Sequence, residues 1–70
     1  MKYPKTRHYK NGNKTASLES HRLGYSINYS HNGRHYNEST YYVRDGWNRS
    51  VGRTEALREL KRNHFVEIKK

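Results

Sequence analysis

Histidine is the residue type in this chain with the widest chemical range, because an imidazole can bind a metal, transfer a proton or stack on a base. The chain has five histidines and no cysteine. His31 and His35 flank Asn32-Gly33, and a two-residue turn there places their side chains on opposite faces of a hairpin. The other three are isolated in sequence: His8, His21 and His64. A zinc site needs three or four converging ligands, so we expect surface or base-stacking histidines and no metal site.

Nucleophilic or acid–base catalysis is the next chemistry to weigh. The segment His31-Asn32-Gly33 superficially resembles part of an HNH nuclease, but a turn is a sufficient explanation of Asn32-Gly33. The chain has no glycine-rich nucleotide loop, and no Arg and Glu are spaced around Gly24–Ser30 as a small nuclease would require. We therefore expect a non-enzymatic protein with no catalytic residue and no cofactor.

Positive charge is the strongest chemical feature of the sequence. The 70 residues include 15 Lys and Arg against 6 Asp and Glu, for a formal net charge of +9. The excess lies in residues 1–22 and 44–70, which flank a neutral, aromatic and amide-rich stretch. Lys and Arg neutralise phosphates, aromatic rings stack on bases, and Asn, Ser and His supply hydrogen bonds. The pattern is typical of a nucleic-acid-binding protein, and a merely solubilising surface or an acidic protein or membrane partner is the lesser explanation.

One small domain must position these residues. Residues 1–12 are predicted to form a basic N-terminal arm that can include a first strand, and residues 13–70 a single α+β domain. The predicted fold is a small antiparallel β-sheet of three to four strands, with a central Asn-Gly hairpin and one α-helix packed on one face. No segment has the composition of a signal peptide or a membrane span, so we expect a cytoplasmic protein, in the host cytoplasm if its source is viral.

The central hairpin is predicted from strict alternation. Leu23, Tyr25, Ile27 and Tyr29 alternate with small residues and lead to Asn32-Gly33, a pair that tolerates the positive φ of a type I′ turn. Counting outward from that turn predicts two faces of the hairpin. The core face should carry Leu23, Tyr25, Ile27, Tyr29, Tyr36 and Tyr42. The polar face should carry Ser26, Asn28, Ser30, His35, Asn37, Ser39 and Tyr41.

A short helix follows the hairpin. Thr54 is the predicted N-cap, and Asn63 the predicted end of the helix. Its apolar stripe consists of Ala56, Leu57 and Leu60. Trp47, in the preceding loop, is expected to pack against this helix, and the alternation over His64–Ile68 predicts a last strand.

The segment Tyr25–Tyr36, with the sequence YSINYSHNGRHY, is followed by Thr54–Leu60, with the sequence TEALREL. This succession of strand, Asn-Gly-Arg turn, strand and helix start resembles the AP2-like and integrase arm-binding DNA domains. The resemblance covers roughly residues 22–63. It implies a three-stranded sheet that reads bases from the DNA major groove. The chain differs from that family in a longer connection before the helix, an added C-terminal strand and the missing Arg and Trp pattern on the strands.

Our hypothesis from these features is a nucleic-acid-binding protein, with DNA favoured over RNA, in a regulatory role. Its composition, rich in Asn, Tyr, Lys and His, also resembles that of small early proteins of bacteriophages. The candidates for phosphate contacts are Lys2, Lys5, Arg7, Lys10, Lys14, Arg22, Arg34, Arg44, Arg49 and Arg53. The candidates for base contacts are Asn28, His35, Asn37 and Tyr41.

Two alternatives use the same residues differently. A small phage-type inhibitor would bind a host protein that processes nucleic acid, and its contacts would come from exposed aromatic and Arg residues. A ribosome-associated or RNA-packaging protein would share the first chemistry and differ only in its ligand. The sequence does not predict an oligomeric state.

Overall fold

Four consecutive strands form an antiparallel meander, and a helix then returns the chain across one face of the sheet. The computed structural model describes residues 5–43 and 48–68. The elements in chain order are β1 (Lys5–Asn11), β2 (Lys14–His21), β3 (Gly24–His31), β4 (Arg34–Tyr42), α1 (Arg49–Arg62) and β5 (Val66–Glu67). The strands lie in the order β4-β3-β2-β1-β5, so β5 completes the sheet beside β1. The predicted α+β class is confirmed, and the sheet has five strands where three to four were expected.

Two-residue loops connect the four strands of the meander. The β3–β4 loop consists of Asn32 and Gly33, both with positive φ (52° and 83°), as a type I′ turn requires. In the β1–β2 loop, Gly12 alone has positive φ, and Asn11 belongs to β1 as the partner of Lys14. The prediction of a hairpin at each Asn-Gly pair is therefore confirmed, with the first turn displaced by one residue.

A β-bulge in β4 changes the predicted faces of the central hairpin. Ser30 pairs with His35, but Tyr29 pairs with Asn37 rather than Tyr36. Because side chains alternate along a strand, this one-residue shift exchanges the two faces for the rest of β4. Tyr41 therefore pairs with Tyr25 on the core face, and the predicted placement of Asn37, Ser39 and Tyr41 on the polar face is wrong.

Three residues assigned to the core face are exposed for related reasons. Tyr42 is 51% exposed because the bulge directs it to the opposite face, and Tyr36 is 49% exposed because it lies at the bulge itself. Leu23 is 62% exposed because β3 begins one residue later and leaves Leu23 in the β2–β3 loop. The placement of Tyr25, Ile27 and Tyr29 in the core is confirmed.

Helix α1 begins earlier than predicted. Its N-cap is Asn48, whose Oδ1 accepts a hydrogen bond from the Val51 amide at 3.0 Å. Thr54 lies within the helix, and its hydroxyl donates to the Ser50 carbonyl at 2.8 Å, so the predicted N-cap is wrong. The prediction of the end is confirmed, because Asn63 is the C-cap. Asn is a strong N-cap residue, and a start at Asn48 adds more than one turn of helix over the sheet.

The core lies between α1 and the sheet. Its buried residues come from four elements and the segment after the helix: Tyr9, Ala16, Leu18, Tyr25, Ile27, Tyr29, Ala56, Leu60 and Phe65. Leu57 and Tyr41 pack against this cluster from its margin. The predicted contact of Trp47 with the helix lies outside the described residues. Within the described ranges, no helix is long and apolar enough to cross a membrane.

Substitution of Gly52 by alanine is expected to stabilise the protein by about 0.5–1 kcal/mol, because glycine is the costliest ordinary residue in a helix interior. A Cβ at Gly52 would lie 3.5 Å from Cδ1 of Tyr25 and 3.7 Å from the Tyr41 carbonyl oxygen, which are ordinary van der Waals distances. Urea denaturation of the Gly52→Ala variant measures the effect. A lower midpoint at unchanged slope would contradict the expectation and show that the helix needs closer contact with Tyr25.

Candidate nucleic-acid interface

The two faces of the sheet differ in what covers them. One face carries α1, and we call this face together with the helix the helix side. The strand side chains on the opposite face form the open face. Cross-strand partners define the rows of each face: Arg7, Leu18, Ile27 and Ser39 form one row of the helix side, and His8, Ser17, Asn28 and Glu38 one row of the open face.

Charge is distributed very unevenly between the two sides. In residues 5–43 and 48–68, the helix side carries nine cationic side chains, by register or by position on α1: Lys5, Arg7, Lys14, Arg34, Arg49, Arg53, Arg58, Lys61 and Arg62. It carries three carboxylates: Glu55, Glu59 and Glu67. In the same ranges the open face carries Lys10 against Glu19 and Glu38. The positive charge of the described chain is therefore concentrated on the helix side.

The predicted phosphate contacts divide along this boundary. Lys5, Arg7, Lys14, Arg34, Arg49 and Arg53 belong to the helix side. Lys10 lies on the open face, opposite Thr15, and Arg22 lies in the β2–β3 loop. Lys2 and Arg44 lie outside the described residues.

The four predicted base contacts do not form one surface. Asn28 and His35 lie on the open face, in neighbouring rows. Asn37 and Tyr41 lie on the helix side because of the β4 bulge. The expected set of base-reading residues on the polar hairpin face is therefore reduced to Asn28 and His35, and His35 faces the Glu38 carboxylate at 3.7 Å.

A cleft of about 350 Å³ opens on the helix side, between α1 and strands β1 and β2. It exists because α1 packs mainly over β3 and β4 and leaves the neighbouring part of the sheet uncovered. Three cationic side chains line it, Lys5, Arg7 and Arg53. Its apolar lining consists of Leu18, Tyr25 and Leu57. This combination of cations and apolar surface suits a ligand that is anionic at one part and apolar at another.

Arg49 forms the closed end of this region by structural contacts. Its guanidinium donates to the His21 carbonyl oxygen at 2.9 Å and to Oγ of Ser20 at 2.7 Å. The same group lies over the Tyr25 ring, 4.8 Å from the centroid, as a cation–π contact. Arg49 thus joins the start of α1 to the β2–β3 end of the sheet, a role that its expected phosphate contact did not include.

On the other flank of α1, two tyrosines hold the Glu59 carboxylate. The hydroxyls of Tyr29 and Tyr41 donate to its two oxygens, one to each. Burial tends to raise the pKa of Glu59, but hydrogen bonds from Tyr29, Tyr41 and Ser39 outweigh it and hold the pKa below its usual range. Burial and the Glu59 contact raise the pKa of Tyr41 to about 12. Tyr41 is therefore a structural hydrogen-bond donor, not the surface side chain that its predicted base contact assumed.

Three cations of α1 belong to the helix side although they were not among the expected contacts: Arg58, Lys61 and Arg62. All three are exposed, and Arg58 forms an i,i+3 pair with Glu55 at 3.2 Å. The available signal was the absence of acidic partners along most of the solvent-facing stripe of the helix.

Among the described residues, no group of three or more His, Cys, Asp or Glu side chains is arranged to hold a metal ion. No protein-family model, curated protein or solved structure matches the chain. The resemblance to AP2-like and integrase arm-binding domains therefore stays a prediction.

Proposed function

We propose that this chain is a non-enzymatic nucleic-acid-binding protein and that it contacts its ligand with the helix side. The observation that carries the proposal is the concentration of cationic side chains on that side in the described part of the chain. Release of counterions from neutralised phosphates supplies most of the affinity of such proteins. A surface with many cations and few carboxylates is what that mechanism requires.

The open face is the weaker candidate for phosphate contact. Glu19 and Glu38 belong to it, and a phosphate backbone laid across it would approach both carboxylates. Its other side chains are mostly short and polar, such as Thr15, Ser17 and Asn28. These groups can donate hydrogen bonds to bases but cannot neutralise phosphates. A regulatory DNA-binding role of the AP2-like kind would use this face, whereas the charge favours the opposite one.

Two lysines of β1 provide a matched test, because Lys5 lies on the helix side and Lys10 on the open face. Each glutamine variant, Lys5→Gln or Lys10→Gln, removes one positive charge from an exposed position of the same strand. We expect Lys5→Gln to weaken binding to labelled DNA or RNA about three- to fivefold at moderate salt and to lower the salt slope by about one. Lys10→Gln should change affinity less than about twofold.

Fluorescence anisotropy over a salt series measures both variants, with DNA and RNA in single-stranded and duplex form. A larger loss for Lys10→Gln would move the contact surface to the open face. Absence of salt-dependent binding to any of the four nucleic acids would refute the proposed function.

One observation favours a second candidate, an inhibitor that binds a host protein. Leu23, Tyr42 and Val43 are exposed at one end of the central hairpin, where the Val43 amide donates to the Leu23 carbonyl at 2.8 Å. Adjacent exposed apolar side chains of this kind are typical of protein contacts. Salt-insensitive binding to a protein, without binding to DNA or RNA, would select this candidate.

A further inference from the structure

We propose that the cleft between α1 and strands β1 and β2 accepts one unpaired nucleotide, so that the preferred ligand is single-stranded nucleic acid. This inference rests on the proposed function and names the form of nucleic acid that the helix side binds. It follows from the shape of the cleft, its apolar floor and the positions of its cations.

The floor of the cleft is apolar and aromatic. Leu18 and Tyr25, from adjacent strands, are both almost completely buried and present only their outer edges to the cleft. Leu57, from α1, adds a half-buried apolar wall. The volume of about 350 Å³ is at the lower end of the range for small-molecule sites. A flat ring system of the size of a base can cover this floor and exclude water from it.

The cations stand at the margin of that floor. Lys5 and Arg7 are two residues apart on β1, so their side chains project from the same face about 7 Å apart. Arg53 faces them from α1. Arg7 lies 3.9 Å from Glu67 but remains 53% exposed, so its guanidinium is accessible to a phosphate. Cations on two sides of an apolar floor can hold the phosphates that precede and follow a bound base.

A duplex cannot use the floor of this cleft. Its bases are paired and stacked, and taking one out of the helix costs a few kcal/mol. A single strand presents its bases without that cost, and contact of a base with an apolar or aromatic surface adds affinity that a duplex does not gain. The structure therefore assigns the discrimination between the two forms to the apolar floor, and the general affinity to the cations.

A pair of tryptophan variants separates these two contributions. Leu57→Trp fills the cleft without changing its charge, whereas Val51→Trp introduces the same ring at another half-buried apolar position of α1 that does not line the cleft. The probes are a short labelled oligothymidylate and a duplex of the same length, measured by fluorescence anisotropy. Circular dichroism and thermal melting establish that each variant is folded.

We expect the wild-type protein to bind the single strand about tenfold more tightly than the duplex. Leu57→Trp should remove that preference by weakening single-strand binding about tenfold, and Val51→Trp should preserve it. Equal binding of both forms by the wild-type protein overturns the nucleotide site but leaves the proposed function standing. Absence of binding to either form overturns the proposed function itself.

Amide chemical-shift mapping keeps the test decisive if Leu57→Trp does not fold. Titration of the wild-type protein with the oligothymidylate should shift the amide signals of Leu18, Tyr25 and Leu57. Shifts confined to the open face, or an equal loss of single-strand and duplex binding in a folded Leu57→Trp variant, would contradict the nucleotide site. Binding of an acidic peptide to the same residues, without binding of the oligothymidylate, would replace it with a protein contact.

Discussion

Substitution of Gly24 by alanine is expected to destabilise the fold by about 3–5 kcal/mol, from backbone strain and a steric clash together. Gly24 has a φ of +149°, which side-chain-bearing residues rarely adopt. A Cβ there would lie 2.1 Å from the carbonyl oxygen of Tyr41. That oxygen is backbone on the neighbouring strand, so relief of the clash requires separation of β3 from β4.

Gly12→Ala is the matched control for this prediction. Gly12 also has a positive φ, +62°, but a Cβ there would meet no atom within 4 Å. Its cost should be about 1 kcal/mol, which reflects the left-handed backbone alone. Urea denaturation of both variants gives the two free energies of unfolding. Equal costs for Gly24→Ala and Gly12→Ala would show that the approach of β4 to Gly24 does not restrict the position.

Removal of the Glu59 carboxylate is expected to cost about 3 kcal/mol, because hydrogen bonds to charged groups contribute more than neutral ones. The carboxylate accepts from Tyr29 of β3 and Tyr41 of β4, so it attaches α1 to two strands. In a Glu59→Ala variant both hydroxyls lose their acceptor, and Tyr29 is buried. The free energy of unfolding in urea measures the loss.

Glu55→Ala is the control on the same helix. Glu55 contacts Arg58 at 3.2 Å, and the Arg58 side chain is 65% exposed. Such an i,i+3 pair contributes about 0.5 kcal/mol or less. A comparable cost for both glutamate variants would mean that the two tyrosine hydroxyls do not anchor the helix.

The same cluster predicts how stability depends on pH. Since the pKa of Glu59 is lower in the folded protein, its contribution is present above the unfolded pKa of about 4.3 and is lost as pH falls through the folded value. The pKa of Tyr41 is raised to about 12 and that of Tyr29 is also raised, so their contribution is present below about pH 10 and is lost as pH rises toward 12. Unfolding free energies measured across both windows should show both losses in the wild-type protein. In Glu59→Ala both should be smaller, and an unchanged acid loss would assign it to other carboxylates.

Local sequence patterns determined the elements of this protein because the interactions that select them are local. The alternation of Tyr25, Ile27 and Tyr29 identified β3, and positive φ at Asn32-Gly33 is satisfied by the two residue types that tolerate it best. Asn63 likewise marked the end of α1. The concentration of positive charge outside residues 23–43 was also evident from composition alone.

Only the tertiary structure decided which face each residue of β4 occupies and what the helix leaves uncovered. The bulge beyond Tyr29 depends on packing of Tyr41 against the core and on its hydrogen bond to Glu59, and neither contact is encoded in the spacing of β4. The cleft depends on how far α1 extends over the sheet, which the Asn48 cap and the contacts of Arg49 set through residues distant in sequence. Periodicity predicts which residues alternate, but register beyond an irregular position and the space between packed elements follow from contacts that no local pattern contains.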